Sequence, residues 1–113
     1  MTDITIAKAT GTWTVCAGGA IIGESCNALE LREEGHAPVL YFPRADIAMA
    51  LLDPVAHSTV CPTKGTANYY SIVTKNRTLE NAAWSYETPN AKMSQIKEHL
   101  AFHSNELITV EGG

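Results

Sequence analysis

Short segments in which apolar and polar residues alternate dominate the chain, and this alternation is the pattern of half-buried β-strands. ITIAKA and TWTVCAG alternate in this way, and Gly18-Gly19 then supplies the positive φ that a tight hairpin turn requires. Later segments of the same character are ALELREEG, PVLYFP, TANYYSIV, TLENAAWSYE and ELITVEG. Short turns rather than long crossovers join these segments, so the sequence predicts a mainly β fold with antiparallel sheets.

Two segments depart from the alternating pattern. RADIAMALLDP has apolar residues at helical spacing before Pro54 ends the run, which predicts a short helical segment near residues 45–52. The second segment begins after Pro89-Asn90 and predicts a longer helix near residues 90–100. Its apolar stripe consists of Met93, Ile96 and Leu100.

Length and charge narrow the function classes. The chain has 113 residues, of which 45% are hydrophobic, and we expect one compact domain spanning residues 1–113. Eight basic and twelve acidic residues give a net charge of -4, and the basic residues are scattered singly. Nucleic-acid binding through phosphate neutralisation usually requires a basic face, so we expect no nucleic-acid partner.

The sequence also lacks the signals that direct a chain to a membrane. No stretch approaches the roughly 20 apolar residues that span a bilayer. The start, MTDITIAKATGTW, lacks the basic and apolar regions of a signal peptide. Three cysteines without a CxxC pair favour a reducing compartment over a disulfide framework. Together these features predict a cytoplasmic protein that makes no membrane contact.

Metal-dependent chemistry finds little support in the sequence. The four histidines are scattered, and the residue order of EHLAFH differs from the HExxH of metalloproteases. A two-metal site for nucleotidyl transfer needs clustered carboxylates, whereas the aspartates Asp3, Asp46 and Asp53 are well separated. We therefore expect no bound metal and no other cofactor.

Four ordered blocks stand out among the alternating segments. They are YFPRADI at 41–47, CPTKGTANYYS at 61–71, NAAWSYETP at 81–89 and IKEHLAF at 96–102. In this order they resemble the blocks of the bacterial family called DUF427. The resemblance covers most of the chain and implies a β-tent, or Mss4-like, fold, in which two antiparallel sheets meet at an angle. It implies no particular activity, because the family has no established function.

Two cations lie in these blocks beside turn residues. Lys64 precedes Gly65 in CPTKG, which predicts a β-turn that presents the lysine at a loop tip, where it can meet an anion. Arg44 and Asp46 follow a proline, and a guanidinium binds carboxylate or phosphate through two hydrogen bonds. The same two residues also suit a structural ion pair or a helix start. If Arg44 and Lys64 face one cavity, they form an anion site.

Aromatic residues recur within the same blocks. They are Tyr41, Tyr69, Trp84 and Tyr86. Trp84 and Tyr86 are two residues apart and therefore share one face of a predicted sheet. A core cluster is one interpretation of these rings, and a pocket wall on which a planar ligand stacks is the other.

Cys61 is the candidate nucleophile. A reactive thiol needs a nearby cation, imidazole or helix N-terminus to lower its pKa, and Lys64 lies three residues away. The alternative interpretation is a small buried residue ahead of the turn, because free cysteines are among the most buried side chains.

Three functional hypotheses follow. The leading one is binding of a small, anionic and partly planar ligand in a cleft lined by Arg44, Lys64 and the aromatic residues. The second is a thiol-dependent enzyme that uses Cys61, so the sequence leaves open whether a reaction is catalysed. The third is a protein-interaction or homo-oligomer module whose surface includes the aromatic residues and the YFPR segment.

Overall fold

The computed structural model describes residues 3–112, and within them the chain forms ten strands in three antiparallel sheets. In chain order the strands are β1 (Ile4–Lys8), β2 (Trp13–Ala17), β3 (Ala20–Ser25), β4 (Leu29–Glu33), β5 (Val39–Tyr41), β6 (Leu52–Cys61), β7 (Gly65–Val73), β8 (Thr78–Ser85), β9 (Ala101–Phe102) and β10 (Ile108–Gly112). The sheets have the orders β1-β4-β5, β10-β2-β3 and β6-β7-β8-β9.

The predicted mainly β fold is confirmed, and the sheet count differs from the expectation. The described residues contain three sheets rather than two, because β10 returns to pair with β2 and completes a separate sheet with the β2–β3 hairpin. The likeness to a β-tent stays a prediction.

Short 3-10 helices take the place of the predicted helical segments. They are Arg44–Asp46, Met49–Leu51 and Ala91–Ile96. The first two lie in the segment expected near 45–52. The third replaces the longer helix expected near 90–100 and ends early, because Leu100 and Phe42 exchange two backbone hydrogen bonds of 2.8 Å that keep the chain extended. No helix within residues 3–112 is long and apolar enough to cross a membrane.

The β7–β8 pair presents two chemically different faces. Tyr69 lies opposite Trp84 in the strand register, and Tyr70 lies opposite Ala83. Because successive side chains of a strand point to opposite faces, Tyr69 and Trp84 share one face, while Tyr70 and Ser85 share the other. Each face therefore has its own set of polar and aromatic groups.

Two buried clusters lie on these faces. The larger packs Tyr70 with buried residues such as Phe42, Ile72 and Phe102 from several strands. The smaller contains Leu31, Tyr41, Ala67, Tyr86, Met93, Ile96 and Ala101. Tyr69, Trp84 and Cys61 pack against the smaller cluster, which forms the floor beneath an open cavity.

Candidate functional site

A cavity of about 360 Å³ lies between β4 and β5 of one sheet and β7 and β8 of another. Its volume falls within the range of pockets that hold small molecules. The polar and aromatic side chains that line it include Glu33, Tyr41, Lys64, Tyr69, Trp84, Tyr86 and His103.

Aromatic rings form one wall of this cavity. Trp84 packs edge-on against Tyr41 with ring centroids 6.5 Å apart, and its indole Nε1 donates a hydrogen bond of 3.3 Å to the Tyr41 hydroxyl. Tyr86 also packs against Tyr41, and the centroids of these two rings are 6.4 Å apart. The His103 ring lies 4.6 Å from Trp84 and stacks on Tyr69. These contacts fix the rings, so the wall is preorganised.

The CPTKG turn carries Lys64 to the edge of the wall. Asn90 holds the turn, because its backbone N–H donates to the Lys64 carbonyl at 2.9 Å. Its side-chain Nδ2 donates to the carbonyls of Pro62 and Thr63 at 3.1 and 2.8 Å. Gly65 ends the turn with φ of +113°, and a Cβ there would lie 3.3 Å from the Thr88 carbonyl oxygen. The turn therefore needs glycine at this position.

Lys64 forms a largely buried ion pair inside the cavity. Its Nζ lies 3.2 Å from the Glu33 carboxylate, and the two side chains are 13% and 16% exposed. The Cys61 sulfur lies 3.9 Å from the same Nζ. An ammonium has three N–H groups, so Lys64 keeps donor capacity for a molecule in the cavity. The pair is neutral overall and presents a donor beside an acceptor.

Two tyrosine hydroxyls stay protonated at neutral pH. Burial raises the pKa of Tyr41 to about 12, an effect only partly offset by the hydrogen bond from Trp84. Burial also raises the pKa of Tyr86 well above its ordinary value. Tyr86 is only 6% exposed, yet its hydroxyl makes no hydrogen bond to any residue in the described part of the chain. Because no fully buried side-chain nitrogen or oxygen in the described residues lacks a partner, this hydroxyl is accessible, and Tyr86 lines the open cavity.

His103 adds a neutral imidazole at the rim. Partial burial lowers its pKa below the ordinary value of 6.5, so the ring is uncharged at pH 7. A neutral ring stacks on Tyr69 and Trp84 without bringing a further charge to the cavity.

Arg44 lies on the opposite face of the β7–β8 pair, where each of its guanidinium nitrogens donates a hydrogen bond. The acceptors are the Glu98 carbonyl at 3.1 Å, the Tyr70 hydroxyl at 3.3 Å, the Ser85 hydroxyl at 3.3 Å and the Glu87 carboxylate at 3.3 Å. Tyr70 in turn donates to Glu87 at 2.8 Å. Arg44 thereby ties the residues after β5 to β7, β8 and the backbone near Glu98.

The structure separates the residues that the sequence analysis grouped into one site. Five of them line the cavity: Tyr41, Lys64, Tyr69, Trp84 and Tyr86. The Cys61 sulfur lies 3.9 Å from the Lys64 Nζ, but Cys61 is not one of the residues that line the cavity. Arg44 and Asp46 lie elsewhere, and the Asp46 carboxylate accepts a hydrogen bond of 2.6 Å from Ser25. Arg44 and Lys64 therefore do not share the cleft that was expected to hold both.

Three important residues escaped the sequence analysis. Glu33 lies on the same face of β4 as Leu29 and Leu31. The alternation of LELRE therefore already predicts that its side chain points in the same direction as theirs. Asn90 was noted only as a helix start, and His103 only as one of several scattered histidines. Neither gave a local signal, because their partners lie far away in the sequence.

Among residues 3–112, no group of three or more His, Cys, Asp or Glu side chains is placed to hold a metal ion.

A family model described as "Domain of unknown function (DUF427)" matches residues 5–111. No curated protein matches the chain.

Proposed function

The chain belongs to the DUF427 family, and we propose that this member binds a small planar ligand in the cavity between β4–β5 and β7–β8. The observation that carries the proposal is a cavity of about 360 Å³ in which the Lys64–Glu33 ion pair lies beside a wall of aromatic rings held in mutual contact. The Tyr86 hydroxyl belongs to the same lining and has no hydrogen-bond partner among the described residues, so it can bond to a ligand in the cavity.

The ring wall supports a planar ligand. Tyr69, Trp84 and His103 are held in mutual contact, and the lowered pKa of His103 keeps its ring uncharged at pH 7. Aromatic faces that are already fixed lose little conformational entropy when a flat molecule stacks on them.

The Lys64–Glu33 ion pair determines which hydrogen-bonding groups the edge of that ligand should carry. Lys64 supplies a donor, and Glu33 beside it supplies an acceptor. A simple anion would meet the Glu33 carboxylate as well as the Lys64 ammonium, so the Arg44-assisted anion site proposed from the sequence is replaced. We propose a planar ring that carries an acceptor next to a donor, such as the C=O and N–H of a cyclic amide.

Carbostyril, a bicyclic cyclic amide, is a suitable probe, and quinoline is its matched control because it lacks both the C=O and the N–H. Isothermal titration calorimetry should detect carbostyril binding to the wild-type protein. Quinoline should bind about tenfold more weakly or not at all, since two hydrogen bonds to charged groups are lost.

The protein control is the double variant Lys64→Met with Glu33→Gln, which removes both charges together. This variant should lose the preference for carbostyril while remaining folded. Equal affinity of the wild-type protein for both compounds, or no heat with either, would overturn the proposal.

A thiol-dependent activity is the second candidate, and the 3.9 Å separation of the Cys61 sulfur and Lys64 Nζ favours it. The Glu33 carboxylate offsets the lysine charge that would activate the thiol. Iodoacetamide labelling against pH tests this candidate. Fast labelling of Cys61 near pH 7 would support it, and labelling only above pH 8.5 would exclude it.

The third hypothesis, an interaction surface made of the aromatic residues and YFPR, stays a prediction. Tyr41, Phe42 and Tyr86 are 1%, 0% and 6% exposed. Tyr69 and Trp84 are partly exposed, so a partner chain would have to make contact mainly through these two rings.

A further inference from the structure

A second cavity of about 350 Å³ adjoins the first. Val39 and Trp84 line both cavities, so the two meet at these side chains. The residues between β4 and β5 run along both, with His36 and Ala37 in the first lining and Pro38 and Leu40 in the second. Glu30 and Leu40 face away from Leu31 and Tyr41 in β4 and β5, so the two cavities lie on opposite faces of this strand pair and adjoin at its edge strand, β5.

The chemistry of the second cavity differs from that of the first. Its lining is mainly apolar, with Trp13, Leu40, Phe102 and Val110. Its carboxylate, Glu30, is already bonded to Arg32 at 2.7 Å. A cavity that holds the Lys64–Glu33 pair thus adjoins an apolar cavity at the Val39 and Trp84 side chains.

We propose that the ligand is amphipathic, with a planar hydrogen-bonding head in the first cavity and an apolar substituent in the second. This inference rests on the proposed function, since the head must bind first. Filling the second cavity removes apolar surface from water on both the ligand and the protein, so affinity should rise with the length of the substituent.

A series of carbostyrils with unbranched alkyl chains of increasing length on the ring tests the proposal. Each added methylene should tighten binding by roughly three- to fourfold until the cavity is full. The two tryptophans provide a positional readout, because Trp13 lines only the second of these two cavities while Trp84 lines both. In a spectrum of the indole N–H groups, plain carbostyril should shift the Trp84 resonance, and the alkyl compounds should shift that of Trp13 as well.

Two variants that fill the second cavity serve as controls. Val110→Phe places a ring in it, and Ser104→Phe does so from an exposed loop position with less risk to folding. Both should abolish the gain from the alkyl chain while leaving plain carbostyril binding unchanged.

The outcomes separate the two proposals. Binding of plain carbostyril with no gain from the chain, or a gain without a shift of Trp13, would overturn the amphipathic ligand and leave the proposed function standing. Failure of every compound to bind would overturn both.

Discussion

The two faces of the β7–β8 pair hold one cation each, and the two cations are used differently. Arg44 donates through all of its guanidinium nitrogens to groups of the protein itself. Lys64 has a carboxylate partner and a nearby thiol, and it borders open space. The same contrast holds for two tyrosines, because the Tyr70 hydroxyl is bonded to Arg44 and Glu87 while that of Tyr86 has no partner in the described chain.

This comparison shows how a structural charge differs from a binding charge. A cation that donates four hydrogen bonds to the protein and lines neither cavity, as Arg44 does, joins elements together rather than binding a ligand. A cation with spare donors beside a cavity contributes less to stability and more to recognition. Substitutions on the Arg44 face should therefore affect folding, and those on the Lys64 face should affect binding.

The largest effect on stability is expected from Arg44→Ala. The change removes several hydrogen bonds at once and leaves the Glu87 carboxylate and the Tyr70 hydroxyl with fewer partners, so the free energy of unfolding should fall by about 2–3 kcal/mol. Urea denaturation measures this loss. Arg77→Ala is the matched control on an exposed turn and should change stability by less than about 0.5 kcal/mol. Equal losses for both variants would remove Arg44 from its structural role.

Lys64→Met should cost about 1–2 kcal/mol, because it leaves the largely buried Glu33 carboxylate without its cation. Adding Glu33→Gln should restore most of that loss, since the uncompensated charge disappears. Urea denaturation of the wild-type protein, both single variants and the double variant measures these free energies of unfolding as a double-mutant cycle. A double variant less stable than either single variant would contradict this account, because the loss in Lys64→Met would then not come from an uncompensated charge.

Removing one tyrosine hydroxyl on each face should change the free energy of unfolding by less than the charge substitutions do. The change should differ between the two faces. Tyr70→Phe breaks the bonds to Arg44 and Glu87 and should lower stability by about 1 kcal/mol. Tyr86→Phe removes a hydroxyl without a described partner, so it should leave stability unchanged or slightly raised. The affinity for carbostyril should show the reverse pattern. It should fall about five- to tenfold in Tyr86→Phe and stay unchanged in Tyr70→Phe. The idea fails if Tyr86→Phe destabilises the protein as much as Tyr70→Phe.

The smallest effect concerns His103, whose pKa is lowered by partial burial from its ordinary 6.5. Below that pH the unfolded chain gains a proton before the folded protein does, so stability should fall as the pH drops, and this contribution levels off below the folded pKa. His103→Gln should reduce the slope of stability between pH 7 and 5. An unchanged slope would exclude His103 as its source.

Local patterns predicted most of the strands, the CPTKG turn and the shared face of Trp84 and Tyr86, because each depends on neighbouring residues. They missed the longest strand, β6, whose mostly exposed residues do not alternate between apolar and polar. The position of Arg44 could not be predicted in this way. It depends on how the short helix after β5 packs against β7 and β8, which are distant in the sequence. The roles of Asn90 and His103 are likewise set by long-range contacts. Glu33 was predictable in principle, since it lies on the apolar face of its own strand.

The most direct test of the central claim is a titration of the protein with carbostyril while the two indole N–H resonances are observed. Trp84 donates its N–H to Tyr41 in the wall of the first cavity, and Trp13 donates to the Thr10 carbonyl outside that cavity. We predict a saturable shift of the Trp84 resonance and an unmoved Trp13 resonance. If Trp84 does not respond, or if both resonances drift together without saturation, the cavity is not a binding site for a planar ligand of this kind.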